Sequence, residues 1–139
     1  MSLAKLTAAP MELEYNKKIY RVSPLRDRDL GELQNFIQDK YLSLAKRNLD
    51  GMSTENKSLL LKTAFEKATT LRVYSAESSG ILNSVEGIAK MSWLSLRKEH
   101  SDLTFDQVWD LCNDSNFVEN MMQLITELNK VDENGVKKN

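Results

Sequence analysis

Apolar and polar positions change period along this chain, and the change divides it into elements. From Met11 to Val22 the period is two. Met11, Leu13 and Tyr15 share one side and Glu12 and Glu14 the other, which is the alternation of a half-buried strand. Asn16-Lys17-Lys18 makes a turn and Ile19-Tyr20-Arg21-Val22 resumes the extended pattern, so a small β-hairpin is expected. A lone two-stranded hairpin is marginal in water and must pack on a helix or on another subunit's strand. Residues 1–10, ending at Pro10, read as a flexible arm.

After Ser23-Pro24 the period lengthens to that of a helix. Leu30, Leu33, Phe36, Ile37, Tyr41, Leu44 and Ala45 form one stripe over about residues 28–48, with Asp27 or Ser23 as the cap. Gly51 ends the next turn, and Ser53 starts a second helix. Its expected buried face is Leu60, Leu61, Ala64, Phe65, Ala68, Leu71 and Tyr74, and Ser78-Ser79-Gly80 stops it, glycine supplying the left-handed backbone of a helix end. Asn83 and Glu86 fit a capping box for a third helix, which buries Val85, Ile88, Ala89, Ser92 and Leu96 with Trp93 at the stripe's edge. Gly87 lies inside that helix at a cost of about 1 kcal/mol relative to alanine, which points to close approach of another backbone.

Thr104 with Gln107 is the clearest helix start, with Leu103 placed to staple against Val108. That helix ends near Cys112, because Asn113-Asp114-Ser115-Asn116 forms a turn and a new cap. A last helix carries Phe117, Met121, Leu124, Ile125 and Leu128 on one face. The expected fold is mainly α. It has four to five helices in one compact domain over residues 11–129, a small N-terminal β-hairpin as its minor β component, and a polar tail at 130–139.

Composition agrees with a soluble globular domain: 41% hydrophobic and 28% charged residues, with no apolar run long enough to cross a bilayer. No signal-peptide core is visible near the N-terminus, so a cytoplasmic protein is expected. The net charge of −1 gives no overall attraction to nucleic acid or anionic lipid. Charge is unevenly spread, however. Residues 1–75 carry 13 Lys/Arg against 9 Asp/Glu and residues 76–139 carry 6 against 11, which reads as two solvated faces of opposite sign. A single cysteine, Cys112, excludes an internal disulfide, and a single histidine, His100, excludes a two-histidine metal site.

The chemistry-bearing residues have plain structural readings. His100 reads as an exposed loop or cap residue and Cys112 as a buried, inert thiol. Asp27, Asp29 and Glu32 suit a helix N-terminus. Asp102, Asp106, Asp110 and Asp114 recur every four residues as a solvated ridge without the glycine of a calcium loop. No phosphate-cradling glycine motif is present. Helices over 105–112 and 116–130 could pass for a helix-turn-helix, but the second carries Glu119 and Glu127 and only Lys130 as a cation, against the needs of a recognition helix. No catalytic residue, metal or cofactor is expected. What remains is surface for other proteins: Trp93, Trp109, Phe117, Met121 and Met122 are the candidate partner-binding residues. Met121 and Met122, being adjacent, face about 100° apart and cannot both enter one narrow core.

Several strings, in order, carry a resemblance. They are Tyr20-Arg21-Val22-Ser23-Pro24-Leu25, Asp29-Leu30-Gly31-Glu32-Leu33, Tyr41-Leu42 with Leu44-Ala45, Glu86-Gly87, Trp93-Leu94-Ser95-Leu96-Arg97-Lys98 with His100, and Leu103-Thr104. Over about Met11 to Leu128 the chain resembles the tail assembly chaperones of long-tailed bacteriophages and prophages, departing from them at Ser101, where proline would be expected. The resemblance implies a non-catalytic protein in the cytoplasm of a bacterial host, absent from the finished virion. Its partners would be the helical tape-measure protein, which it keeps soluble, and the tail-tube protein, which it helps recruit. It often implies a longer frameshifted form as well, for which Lys137-Lys138 could mark the slippage site. The hairpin and the charge split would suit a homo-oligomer, and neither nucleic acid nor membrane is an expected partner. The competing expectation is a structural head–tail connector or tail-completion protein.

Overall fold

The computed structural model describes residues 10–73 and 75–129. The arm, the tail and Tyr74 lie outside the described residues. The chain is mainly helical with a small two-stranded sheet, as expected. Strands β1 (Met11–Tyr15) and β2 (Lys18–Val22) are followed by six helices. These are α1 (Asp27–Asn48), α2 (Thr54–Ala68), α3 (Ser79–Leu82), α4 (Val85–Leu96), α5 (Phe105–Leu111) and α6 (Ser115–Leu128), with a 3₁₀ turn at Ala76–Ser78 before α3. Where one domain was expected over 11–129, the contacts divide the chain into two compact units. One, here the sheet unit, takes 10–26 together with 85–129; the other, the hairpin unit, is 27–84.

In the sheet unit β1 and β2 pair antiparallel with Leu13 opposite Tyr20 and Tyr15 opposite Lys18. Only Asn16 and Lys17 remain for the loop, and both have positive φ, 51° and 65°. That handedness matches the twist of the flanking strands in a two-residue hairpin. Leu13, Tyr20 and Val22 are buried, while Glu12 and Arg21 face out as an exposed pair 4.0 Å apart. The hairpin solves its own marginal stability within the chain, packing on α4 and α6. Two hydrogen bonds fix its exit: Ser23 N–H donates to the Ser95 carbonyl and Leu25 N–H to Asn129 Oδ1, both at 2.9 Å.

The box at Thr104 and Gln107 forms as expected, each side chain accepting the other residue's amide proton. Asp114 caps α6 by accepting from Asn116 N–H, and its other carboxylate oxygen accepts from the Tyr15 hydroxyl. Phe117, Met121, Ile125 and Leu128 then follow on one buried stripe. The start of α4 departs from expectation. Asn83 closes α3, its N–H donating to the Ser79 and Ile81 carbonyls, and α4 begins at Val85. Residues 87, 89, 91, 92 and 94–96 are buried on several sides of α4, whereas Val85, its first residue, is 58% accessible.

The hairpin unit joins α1 to α2 through a turn in which Gly51 takes φ 88°, a backbone that glycine alone adopts freely. The Ser53 hydroxyl accepts from Asn56 N–H, the expected cap. The second helix stops at Ala68, well before the expected Ser78-Ser79-Gly80. Thr69 and Thr70 turn their hydroxyls back onto the Glu66 and Lys67 carbonyls, the local competition by which threonine interrupts a helix. Gly80 is not a left-handed stop; it lies inside α3.

Candidate functional site

The five candidate partner-binding residues divide by burial. Phe117 and Met121 are fully buried, and this corrects their reading as surface. Phe117 sits edge-on to both hairpin tyrosines, 5.2 Å from Tyr15 and 6.0 Å from Tyr20 between ring centres. The cause is tertiary: the inner stripe of α6 is where the hairpin docks. Met122 is half-buried, 100° round the helix from Met121.

Trp93 is half-buried and tied down: its indole N–H donates to the Leu103 carbonyl at 3.1 Å. Lys90 and Arg97 lie 4.9 and 5.0 Å from its ring centre, close enough for cation–π attraction. Phe105 stands edge-on at 6.1 Å and leads to Trp109, 6.0 Å further on and 36% exposed. This row of rings is therefore satisfied mainly by its own neighbours.

His100 is not a solvent-exposed loop residue. It is half-buried against β2, with Nε2 accepting from Arg21 N–H at 2.9 Å and its ring 5.7 Å from Tyr20. An acceptor nitrogen requires the neutral imidazole. Burial, reinforced by the Lys18 charge, holds its pKa below the ordinary value of 6.5. Cys112 is buried as expected, and burial raises its thiol pKa. It lies beside an open recess of 460 Å³ also lined by Val85, Ile88 and Val118. Of the four ridge aspartates, Asp102, Asp106 and Asp110 are exposed, while Asp114 is committed to capping and to Tyr15. Among the described residues no three His, Cys, Asp or Glu side chains converge as metal ligands would, and no helix is long and apolar enough to cross a membrane.

Among the described residues, exposed large apolar side chains occur in both units: Met11, Ile19, Val85 and Trp109 in the sheet unit, and five in the hairpin unit. Leu59 is 65% exposed, and Leu60, Phe65, Met52 and Leu44 are between 40% and 46% exposed. Leu60 and Phe65 were expected in the core. On α2 only Ala64 and Ala68 are buried, and Leu60 and Phe65 flank that narrow strip on its two sides. The signal was present in the sequence. Leu59-Leu60-Leu61 are consecutive, so at 100° per residue they cannot share one stripe. Leu44 shows the same effect along α1: it stands seven residues after buried Ile37, in register with it, yet beyond the covered length. Beside it opens a groove of 570 Å³, lined on α1 by Lys40, Tyr41, Leu44, Ala45 and Asn48 and on the α3 side by Gly80, Ile81 and Ser84.

Comparison with known families, characterised proteins and solved structures finds no match.

Proposed function

We propose that this chain is a non-catalytic tail assembly chaperone that binds and shields an amphipathic helical client, the tape-measure protein of a long-tailed phage, and helps recruit tail-tube subunits. The observation that carries the reading is the set of exposed apolar side chains on the hairpin unit: Leu44 on α1, Met52 in the connecting turn, and Leu59, Leu60 and Phe65 on α2. Several large exposed apolar side chains on one small unit suit contact with another macromolecule. A client helix laid on them would hide its own apolar stripe, while the exposed lysines and glutamates of α2 keep the complex hydrated. The order of sequence strings resembling such chaperones supplies the identity of the client.

Co-expression with the adjacent tape-measure gene tests this. A soluble complex that co-purifies is expected, and a client that remains insoluble and unbound refutes the reading. Recovery of the protein in purified phage particles would instead assign it to the structural connectors.

A further inference from the structure

We propose that the outer edge of β1 takes an extended segment of another protein as a third, antiparallel strand, with a lysine or arginine of that segment facing Glu14. The edge belongs to the sheet unit, so the outcome does not depend on the chaperone reading, whose surface is in the hairpin unit.

The unused backbone of β1 follows from its register. Arg21 N–H donates to His100 Nε2 at 2.9 Å, so the peptide groups of Arg21 point away from β1. Glu12 stands opposite Arg21, and opposed pairs along an antiparallel ladder alternate between facing each other and facing outward. Glu12 and Glu14 therefore turn N–H and C=O out of the sheet on its β1 side, while Leu13 and Tyr15 turn theirs toward β2. Among the described residues the sheet has only two strands, and both glutamates are exposed, so this edge is open. The outer edge of β2 is closed by contrast: His100 takes the Arg21 amide and the Ser95 carbonyl takes that of Ser23. Helix α6 packs on the face of β1, its Phe117 ring against Tyr15. An extended chain is the partner that unpaired strand groups recognise, because it returns N–H and C=O groups at the same spacing.

The side chains narrow the choice. An added strand would lie beside Glu12 and Glu14 on the outer face of the sheet, and beside Leu13 and the 37% exposed Met11 on the other. Glu12 already stands 4.0 Å from Arg21, whereas Glu14 is opposite Ile19, which is uncharged and 53% exposed. Of the other cations on these strands and their turn, Lys18 lies over the Tyr20 ring at 5.0 Å and Lys17 sits in the turn itself. Helix α6 brings Asp114, bonded to Tyr15, and no lysine or arginine. The charge at the edge is therefore the Glu14 carboxylate, and a cation directly opposite it is favoured. A second copy fits poorly. Pairing two β1 strands over their full length sets each Glu12 opposite the other copy's Glu14, and like charges directly opposite are destabilising. Pro10 has no N–H to offer, so the added strand is short, about the length of β1.

Amide hydrogen exchange by NMR on the full chain tests this, with a short soluble peptide that alternates valine and lysine as the probe. In the free protein the Glu12 and Glu14 amides should exchange fast and those of Leu13 and Tyr15 slowly. The peptide should slow exchange at Glu12 and Glu14 by at least about tenfold. In antiparallel addition its lysines lie opposite the glutamates and share both hydrogen bonds with them. N-methylation at the lysines should therefore abolish binding, and N-methylation at the valines should not. A peptide alternating valine and glutamate should bind at least about tenfold more weakly, by a margin that salt reduces. Glu14→Pro removes an outward N–H and leaves the β1–β2 ladder intact, so it should lose the peptide while unfolding in urea like wild type. Should it fail to fold, Glu14→Lys keeps the amide and should reverse the preference between the two peptides. Slow exchange at Glu12 and Glu14 in the free protein, binding that survives lysine methylation, or equal binding of the two peptides overturns the proposal. So does protection of those amides that grows with protein concentration in the absence of peptide, since the occupant would then be a second copy.

Discussion

The α6 helix of the sheet unit and the α2 helix of the hairpin unit are of similar length and both apolar, yet they end in opposite states. On α6 the stripe Phe117, Met121, Ile125 and Leu128 is covered by β1, β2 and α4. On α2, whose main partner is α1, only Ala64 and Ala68 are covered, and the larger Leu60 and Phe65 remain half in solvent. The difference is the number of elements that converge on each stripe, not the supply of apolar residues. Burial of one large apolar side chain contributes about 1.5–3 kcal/mol. The α6 stripe therefore serves the sheet unit's own stability, whereas α2 leaves Leu59, Leu60 and Phe65 available to a partner.

The largest test of this contrast is Phe117→Ala. Removing a fully buried ring that touches both hairpin tyrosines should destabilise the sheet unit by about 3–5 kcal/mol in urea unfolding. Trp93 and Trp109, the chain's two tryptophans, both belong to that unit, so their fluorescence follows it selectively. A cost below about 1 kcal/mol would mean that Phe117 is not core. The same logic separates the two methionines: Met121→Ser should unfold, and Met122→Ser should not.

Next in size is Thr104→Ala, which removes one half of the α5 capping box and should cost about 1 kcal/mol in the same assay. A smaller effect is expected from pH. The folded state lowers the His100 pKa below 6.5 through burial first and the Lys18 charge second, with Arg21 adding to them and Asp102 and Glu99 opposing. The unfolded chain therefore binds the proton more readily, and stability rises with pH. The contribution is complete above about 6.5 and is lost as pH falls through the lowered folded value. His100→Gln, whose amide oxygen can accept from Arg21 N–H at any pH, should flatten this part of the stability profile. An unchanged profile would show that the imidazole does not anchor β2. Smallest is Phe65→Ala in the hairpin unit, expected within about 0.5 kcal/mol of wild type by circular dichroism melting while client binding weakens. A loss comparable with that of Phe117→Ala would erase the contrast.

Much of the architecture was readable from residue order. The alternation at 11–22 marked the hairpin, Ser53 and Thr104 marked helix starts, and the 117–128 period marked the stripe of α6. The end of α2 was missed because the apolar period runs on through Leu71 while Thr69 and Thr70 divert the backbone. Asn83 also closes the preceding helix, a role that the capping pattern alone does not reveal. The candidate site was the least readable part. Trp93, Trp109, Phe117, Met121 and Met122 were chosen as large and apolar, and size alone does not distinguish a core residue from a docking residue.

What the sequence determined by itself is local: periods, caps, the positive-φ turn and the one-sided stripes, all set by residues within about four positions of each other. Tertiary structure alone decided which stripes are covered. Coverage requires distant segments to arrive, as the hairpin does at Phe117 and the Arg21 amide at His100, whereas Leu59 is left 65% exposed. Apolar free energy is realised only when water is displaced by such a partner, so the same leucine or phenylalanine can be core in one unit and docking surface in the other.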